Sequence, residues 1–426
     1  MFTSGFFSSF RHLASALLAL LLCACGTLSR MPLESSNEPA LRLAQSGNLQ
    51  AEVDELARPM VDSGHTPGLM VGVLTADGQK HFYGYGVRDL PGSAAPDGQT
   101  LFAVGSLSKG FLGDLAALLV QDGTLHWNDR LEQLLPPGTP LSDDAKQITL
   151  LQLATHTSGL PRQPFTPQTL GYFVEYLFTG HSFYRHFDRD YLLRYMAEFE
   201  RPSHPGPQYS NIGYGLLSYV LELHSGKNID DLLQARLAEP LGLADTDYRG
   251  SDLPGFAERA RGHAGDQPKF IRRGQPVPDW QFTDILHGTA ALYSNADDLL
   301  TYAAANLNGT GNRQMDAALQ DTLSVRVDRP AEAAAVAWIV DTVGTQKITY
   351  QVGLVAGYTS YIGLDREHHT AVVVLQNSFN WSNDVGHRLL QRLGGAADAR
   401  YGLMPRCNTA ASSVTCSTNA SASGAR

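Results

Sequence analysis

The stretch "FAVGSLSKGFLGDLAALL", Phe102 to Leu119, sets a serine, Ser106, three residues ahead of a lysine, Lys109, where an apolar-periodic run begins. Taken alone, the pair is an ordinary helix start: serine is a good N-cap, and a lysine on the following turn usually sits in water. Leu107, Phe111, Leu112, Leu115 and Leu118 or Leu119 recur at helical spacing and are the candidate core face. On such a helix Ser106 and Lys109 share one face. A serine hydroxyl is a weak nucleophile until a base takes its proton, and a lysine whose pKa is depressed by burial is such a base. The unpaired N–H groups at a helix start would favour a developing oxyanion. The rest of the chain decides between the two readings.

Upstream, an amphipathic helix is expected over Asn48 to Val61. Two strand-like runs follow, "GLMVGVLT" and "KHFYGYGV", joined by an Ala76-Asp77-Gly78 turn that reads as a hairpin. Downstream, "AVAWIVDTV", "KITYQVG", "YTSYIGLD" and "TAVVVLQN" are β-rich, and a last helix from Asn383 to Leu393 is expected to stop at Gly394-Gly395. The middle, from Ser106 to about Tyr302, is helical by period. The fold class is therefore α/β, of a two-layer α+β kind. One antiparallel sheet, built from both chain ends with flanking helices, carries an inserted helical subdomain, and the active site lies in the cleft between them.

The 426 residues are enough for one large domain or two modest ones, and a formal net charge of -10 without a basic cluster argues against nucleic acid as a partner. Arg11 and His12 precede "LASALLALLLCAC", a run too short to span a bilayer and of the length of a signal-peptide core. Its end, Leu22-Cys23-Ala24-Cys25-Gly26, resembles a bacterial lipoprotein box with Cys25 as the lipidated residue. The expected organisation is a lipoprotein signal peptide over 1–24, a tether over 25–46, a domain over 47–406 with its helical subdomain at roughly 110–330, and a disordered tail over 407–426. The expected location is the periplasm, lipid-anchored at the outer membrane. Cys407 and Cys416 are the remaining cysteines, and an exported chain permits them to pair. No Cys-x-x-Cys or His-Glu-x-x-His spacing occurs, so no metal is expected, and His181, His186, His204, His368 and His369 are read as surface residues.

About a hundred residues after Ser106 comes "PGPQYSNIGYGLLSYVLE". It sets Tyr209, Ser210 and Asn211 on a short loop before a helix that begins near Ile212. Ser210 or Asn211 as a helix cap is the plain reading. A tyrosine facing the Ser106–Lys109 pair would instead relay a proton, since a neighbouring ammonium favours its phenolate. With "TLFAVGSLSK", "LLQLATHTSGLP", "EPLGLADT" and "AALYSNADDLLTYAAANL" in the same order, the chain resembles the serine β-lactamase and D,D-peptidase (penicillin-binding protein) superfamily. Within it, the class C-like branch that includes β-lactamase-related esterases is the nearer match. The resemblance implies Ser106 as acyl-accepting nucleophile, Lys109 as its proton acceptor and Tyr209 as proton exchanger with the leaving group and the deacylating water. It implies Asn211 as the hydrogen-bond partner of the acyl amide, and gives His156 of "HTSGLP" no catalytic role.

The family's third element reads Lys or His, any residue, then Gly, on a strand facing the nucleophile. Here the stretch is "YQVGLVAGYTSYIG", in which Gln351 replaces the cation while Gly353, Gly357 and Tyr358 keep the frame. Gly353 lets a substrate backbone lie close, and the Leu354 N–H would be the second oxyanion donor beside that of Ser106. A neutral Gln351 weakens recognition of a substrate carboxylate, a charge-assisted contact worth about 1.5–3 kcal/mol, unless another cation such as Arg162 compensates. An aromatic-rich insert from Phe165 to Phe199 reads either as the packing of the helical subdomain or as an apolar wall over the cleft. The expected function is serine acyl hydrolysis through acyl-Ser106, with a β-lactam as small-molecule substrate and without a cofactor. D-Ala-D-Ala carboxypeptidase or carboxylester hydrolase are the alternatives, and a non-catalytic envelope binding module is the rival of another class.

Overall fold

A computed structural model of the chain describes residues 47–203, 206–328, 332–343, 346–381 and 384–400, together with 406–407 and 416–417. The expected signal peptide, Cys25 and the tether lie outside the described residues, as do His204 and most of the tail. Within the tail, Arg406–Cys407 pairs antiparallel with Cys416–Ser417, setting Cys407 across from Cys416.

Asn48 caps α1 (Leu49–Asp62), its Oδ1 accepting the Ala51 N–H at 3.1 Å. The next two runs form the expected hairpin, β1 (Gly68–Leu74) with β2 (Lys80–Gly86). A ribbon of β3 (Phe102–Ala103) with β4 (Tyr293–Ser294) closes the helical middle of the chain. That middle contains α2 (Ser108–Gln121), α3 (Pro167–Thr179), α4 (Arg189–Ala197), α5 (Asn211–Ser225) and α6 (Asp284–Ala290). After it come α7 (Ala296–Asn308) and α8 (Arg313–Thr322), then β5 (Val327–Asp328), β6 (Glu332–Ala334), β7 (Ile339–Val343), β8 (Gln346–Val355), β9 (Tyr358–Asp365), β10 (Thr370–Gln376) and α9 (Val385–Arg400).

The sheet runs β2-β1-β10-β9-β8-β7-β6-β5, antiparallel throughout, with Val71 opposite Val374 where the two chain ends meet. Side chains alternate across it. Leu69, Val71, Val73, Val372 and Val374 pack with Val53 and Leu56 of α1 and Leu389, Leu390 and Leu393 of α9. Met70, Leu74, Val373 and Leu375 point the other way, into the core shared with α2 and α7. Both faces are covered, so β1 and β10 are buried along their whole length and read as unbroken apolar runs. Across the α1–α9 seam Arg392 Nη1 donates to Glu52 Oε2 at 2.5 Å, both side chains buried.

The last helix departs from expectation: it begins at Val385 and continues through Gly394-Gly395 to Arg400. A Cβ on Gly394 would lie 2.5 Å from Gln346 Nε2 and 3.1 Å from Asp365 Oδ2, so a close approach to the sheet, not a chain stop, selects this glycine. His368 also departs from a surface reading, its Nδ1 lying 2.7 Å from Oδ2 of the buried Asp365.

α2 is buried on every side from Ser108 to Leu119, the state of a central helix rather than an amphipathic one. Each fully buried Leu or Phe on it contributes about 1.5–3 kcal/mol. Its one carboxyl, Asp114, accepts hydrogen bonds from Tyr302 Oη (2.5 Å) and Thr322 Oγ1 (2.7 Å). Burial nevertheless pushes it up to about 7. A carboxyl raised in the folded state binds more protons folded than unfolded, so its contribution is full below pH about 4 and is lost as pH rises through about 7. Denaturant titrations from pH 4.5 to 7.5 should therefore show a downward stability slope in the wild type that is reduced in Asp114→Asn; equal slopes in the two proteins would refute this assignment.

Candidate active site

Ser106 is the only residue from Leu101 to Leu119 that is not buried. It sits in a single 3-10 turn, Gly105–Leu107, that feeds directly into α2. Three contacts hold this turn. Ser108 Oγ donates to Gly105 O at 2.6 Å and accepts the Leu292 N–H at 3.1 Å, while Ser360 Oγ of β9 donates to Val104 O at 2.7 Å. β8 approaches from the other side. A Cβ on Gly353 would lie 2.0 Å from Val104 O and 3.1 Å from Ser106 N, so only glycine fits there. Leu354 lies directly against Gly105, which brings its backbone beside the Ser106 turn.

Lys109, on the first turn of α2, is 2 % exposed. Its Nζ lies 3.2 Å from Ser106 Oγ and donates to Thr289 O, near the C-terminal end of α6, at 3.0 Å. Tyr209 comes from the loop before α5, and its Oη lies 2.6 Å from Ser106 Oγ. That loop is tied to the "HTSGLP" turn: His156 Nδ1 accepts the Ser210 N–H at 3.1 Å, and His156 O accepts the Gln208 N–H at 2.7 Å. Ser210 caps α5 by accepting the Gly213 N–H, which leaves Asn211 as the first helical residue.

Burial pulls the Lys109 amine below the usual lysine range, with the Arg162 charge adding to the effect and the Tyr209 phenol opposing it. For Tyr209 burial acts upward, but the charges of Lys109 and Arg162 and the hydrogen bonds outweigh it and bring the phenol below its ordinary value. The two groups thus approach each other in proton affinity around one hydroxyl, the condition for passing its proton between them.

The remaining residues singled out in the sequence divide. Asn211 is buried beside the site, its Nδ2 donating to Tyr184 Oη at 2.5 Å, and its Oδ1 has no hydrogen-bond partner. Gln351 lies on β8 but is 4 % exposed, with an amide nitrogen that lacks a hydrogen-bond partner. A Cβ on Gly110 of α2 would meet that nitrogen at 2.3 Å, so the side chain packs against the central helix. Two contributions were invisible in the sequence. The Thr289 acceptor is a backbone carbonyl, which no residue type announces. Tyr184 sits among the rings of the insert, and nothing in their spacing separates it from the rest. The insert is mainly packing: the buried Tyr176, Phe183 and Tyr184 meet Trp280, and the buried Phe187 packs on Phe183 and Tyr184.

A buried amine and a phenol converging on a serine at the edge of a mixed sheet-and-helix fold are the equipment of a serine acyl-transfer enzyme. The chain belongs to the beta-lactamase family, whose profile matches residues 53–396. Among curated relatives, it is 28% identical over 375 residues to an unguisins hydrolase of Aspergillus campestris, covering 83% of this chain and 67% of that one. It is 28% identical over 240 residues to the D-alanyl-D-alanine-carboxypeptidase/endopeptidase AmpH of Escherichia coli, covering 56% of this chain and 58% of the relative. A class C beta lactamase from Rhodobacter sphaeroides has the same fold, with a TM-score of 0.65 at 23% identity, over 82% of this chain and 99% of that one.

Replacing Lys109 by Met keeps the apolar stem and removes the amine. Acylation by an activated ester should fall about 10²–10⁴-fold, the usual contribution of a positioned base, while the melting temperature stays level or rises. Stopped-flow acylation at the wild-type rate by a folded Lys109→Met would show that the amine is structural only.

Proposed function

We propose that this protein is a serine acyl hydrolase that forms and breaks an acyl-Ser106 intermediate. One observation carries the reading: Ser106 Oγ stands 3.2 Å from Lys109 Nζ and 2.6 Å from Tyr209 Oη, within proton-transfer reach of both. Lys109 takes the hydroxyl proton as Ser106 attacks the carbonyl carbon, and Tyr209 delivers a proton to the departing group. The N–H groups of Ser106 and Leu354 receive the oxyanion, and Asn211 binds the acyl amide. In the second half a water enters where the leaving group stood, its oxygen attacks the acyl carbon as Tyr209 accepts its proton, and the ester bond to Ser106 Oγ breaks as Lys109 returns the proton it took. This chemistry needs no metal or organic cofactor.

The substrate is an amide-type acyl donor, a β-lactam first and a D-Ala-D-Ala-type peptide second, in keeping with the names of the relatives. Because the chain spans about six-tenths of the AmpH relative, that assignment rests on the site rather than on whole-protein equivalence. Gln351, neutral and packed against α2, supports a further reading as a carboxylester hydrolase, since an ester needs no cation on that strand. The chain is exported and held at the cell envelope through lipidated Cys25; no helix among the described residues is long and apolar enough to cross a membrane.

A fluorescent penicillin and a fluorophosphonate should each label the wild type covalently and leave Ser106→Ala unlabelled; failure of both reagents on folded wild type would favour the non-catalytic binding module. In a Gram-negative host the full chain should sediment with membranes and Cys25→Ser should not, as read by immunoblot of the two fractions. Equal partition would refute the anchor.

A further inference from the structure

We propose that Arg162 is an anion-recognition residue of this site, binding a carboxylate carried on the acyl half of the substrate. The inference rests on the acyl-serine reading above and adds to it the side on which charge is recognised. Arg162 follows the "HTSGLP" turn and is half-buried. Its guanidinium carbon lies over the Tyr209 ring, 4.5 Å from the centroid, while Lys109 Nζ lies 5.0 Å from the same centroid. Both nitrogen groups thus lie over the ring of the phenol that touches Ser106.

A guanidinium presents its N–H donors in its own plane, a fork that matches a carboxylate. Arg162 takes part in no ion pair or side-chain hydrogen bond among the described residues, so the fork is unspent. Its main chain is fixed, because Arg162 O accepts the Asn211 N–H at 3.0 Å and Pro161 O accepts from Ser210 Oγ at 2.8 Å. The fixed main chain and the ring beneath it place the head group beside Tyr209.

Placement sets the side. Arg162 belongs to the wall of Tyr209 and Asn211, the wall assigned above to the acyl amide. The facing wall is β8, where Gln351 supplies no charge and turns its amide toward α2. On this placement an anion on the acyl half meets the Arg162 guanidinium, whereas Gln351 offers no charge on the β8 side. The whole chain carries a net charge of -10, so a preference for an anion must arise locally.

The test uses three chromogenic esters on the full chain: para-nitrophenyl hydrogen adipate, its methyl ester, and para-carboxyphenyl hexanoate, whose carboxylate is on the leaving group. In the wild type kcat/KM for the adipate should exceed that of its methyl ester, and Arg162→Gln should lower this ratio about 10–100-fold, as expected for loss of a charge-assisted pair. Arg162→Lys should restore part of it. Reading a ratio cancels any change in Lys109 and Tyr209 that acts on both esters alike. The para-carboxyphenyl ester should change only as the methyl ester does. An unchanged ratio, or an equal loss for the leaving-group anion, overturns the proposal while acyl hydrolysis stands. Absence of turnover of every ester together with absence of Ser106 labelling overturns both.

Discussion

The Lys109 amine is 2 % exposed, reaches Ser106 Oγ and the Thr289 carbonyl, and has no carboxylate partner among the described residues. An ammonium buried without a counter-ion is costly, and the usual relief is loss of the proton. The groups available to share it are Ser106 and Tyr209. Burial of one amine therefore couples three side chains around the Ser106 hydroxyl. A carboxylate beside Lys109 would stabilise the fold and hold the proton on nitrogen.

Holding such an arrangement needs a frame that does not yield. α2 is enclosed from Ser108 to Leu119, so the Ser106 turn cannot swing without disturbing the core. β8 presses on the turn through Gly353, and β9 binds Val104 through Ser360, so the sheet fixes the backbone N–H groups as well as the nucleophile. Tyr209 is fixed from a third direction by the His156 contacts. Four segments far apart in the chain converge, and the sheet that joins the two chain ends brings the last of them into place.

Much of this frame was legible in the sequence because it depends on local periodicity. Strands such as "GLMVGVL" and "TAVVVLQ" declare themselves by apolar runs, and the start of α5 by the capping chemistry of Ser210 or Asn211. Ser106, Lys109 and Tyr209 were legible as a group because their motifs follow a recognisable order, and the structure brings their side chains together. What escaped depends on approach in space. Gly394 looked like a helix stop, since sequence cannot show that Gln346 and Asp365 crowd it. Gln351 could be placed on its strand, but its contact with Gly110 follows from how closely α2 meets the sheet. Arg162 stood out only as a cation able to compensate for Gln351, and its position over the Tyr209 ring belongs to the folded loop.

The aromatic insert shows how packing and selection combine in one element. Its rings meet edge-on and tilted around Trp280, the geometry of a settled core, and Tyr184 is 6 % exposed within it. Yet the Tyr184 hydroxyl reaches out of that cluster to Asn211, and also donates to Gln163 Oε1 at 3.3 Å, one residue beyond Arg162. A lid that opened with each turnover would break these bonds and expose the cluster, at a cost of several buried rings. The insert therefore acts as a fixed wall. Through Tyr184 it sets the orientation of Asn211, and through Gln163 it steadies the segment carrying Arg162. The surroundings of Asn211 and Arg162 are thus tied to a part of the chain that makes no contact with Ser106 in the hydrogen bonds described.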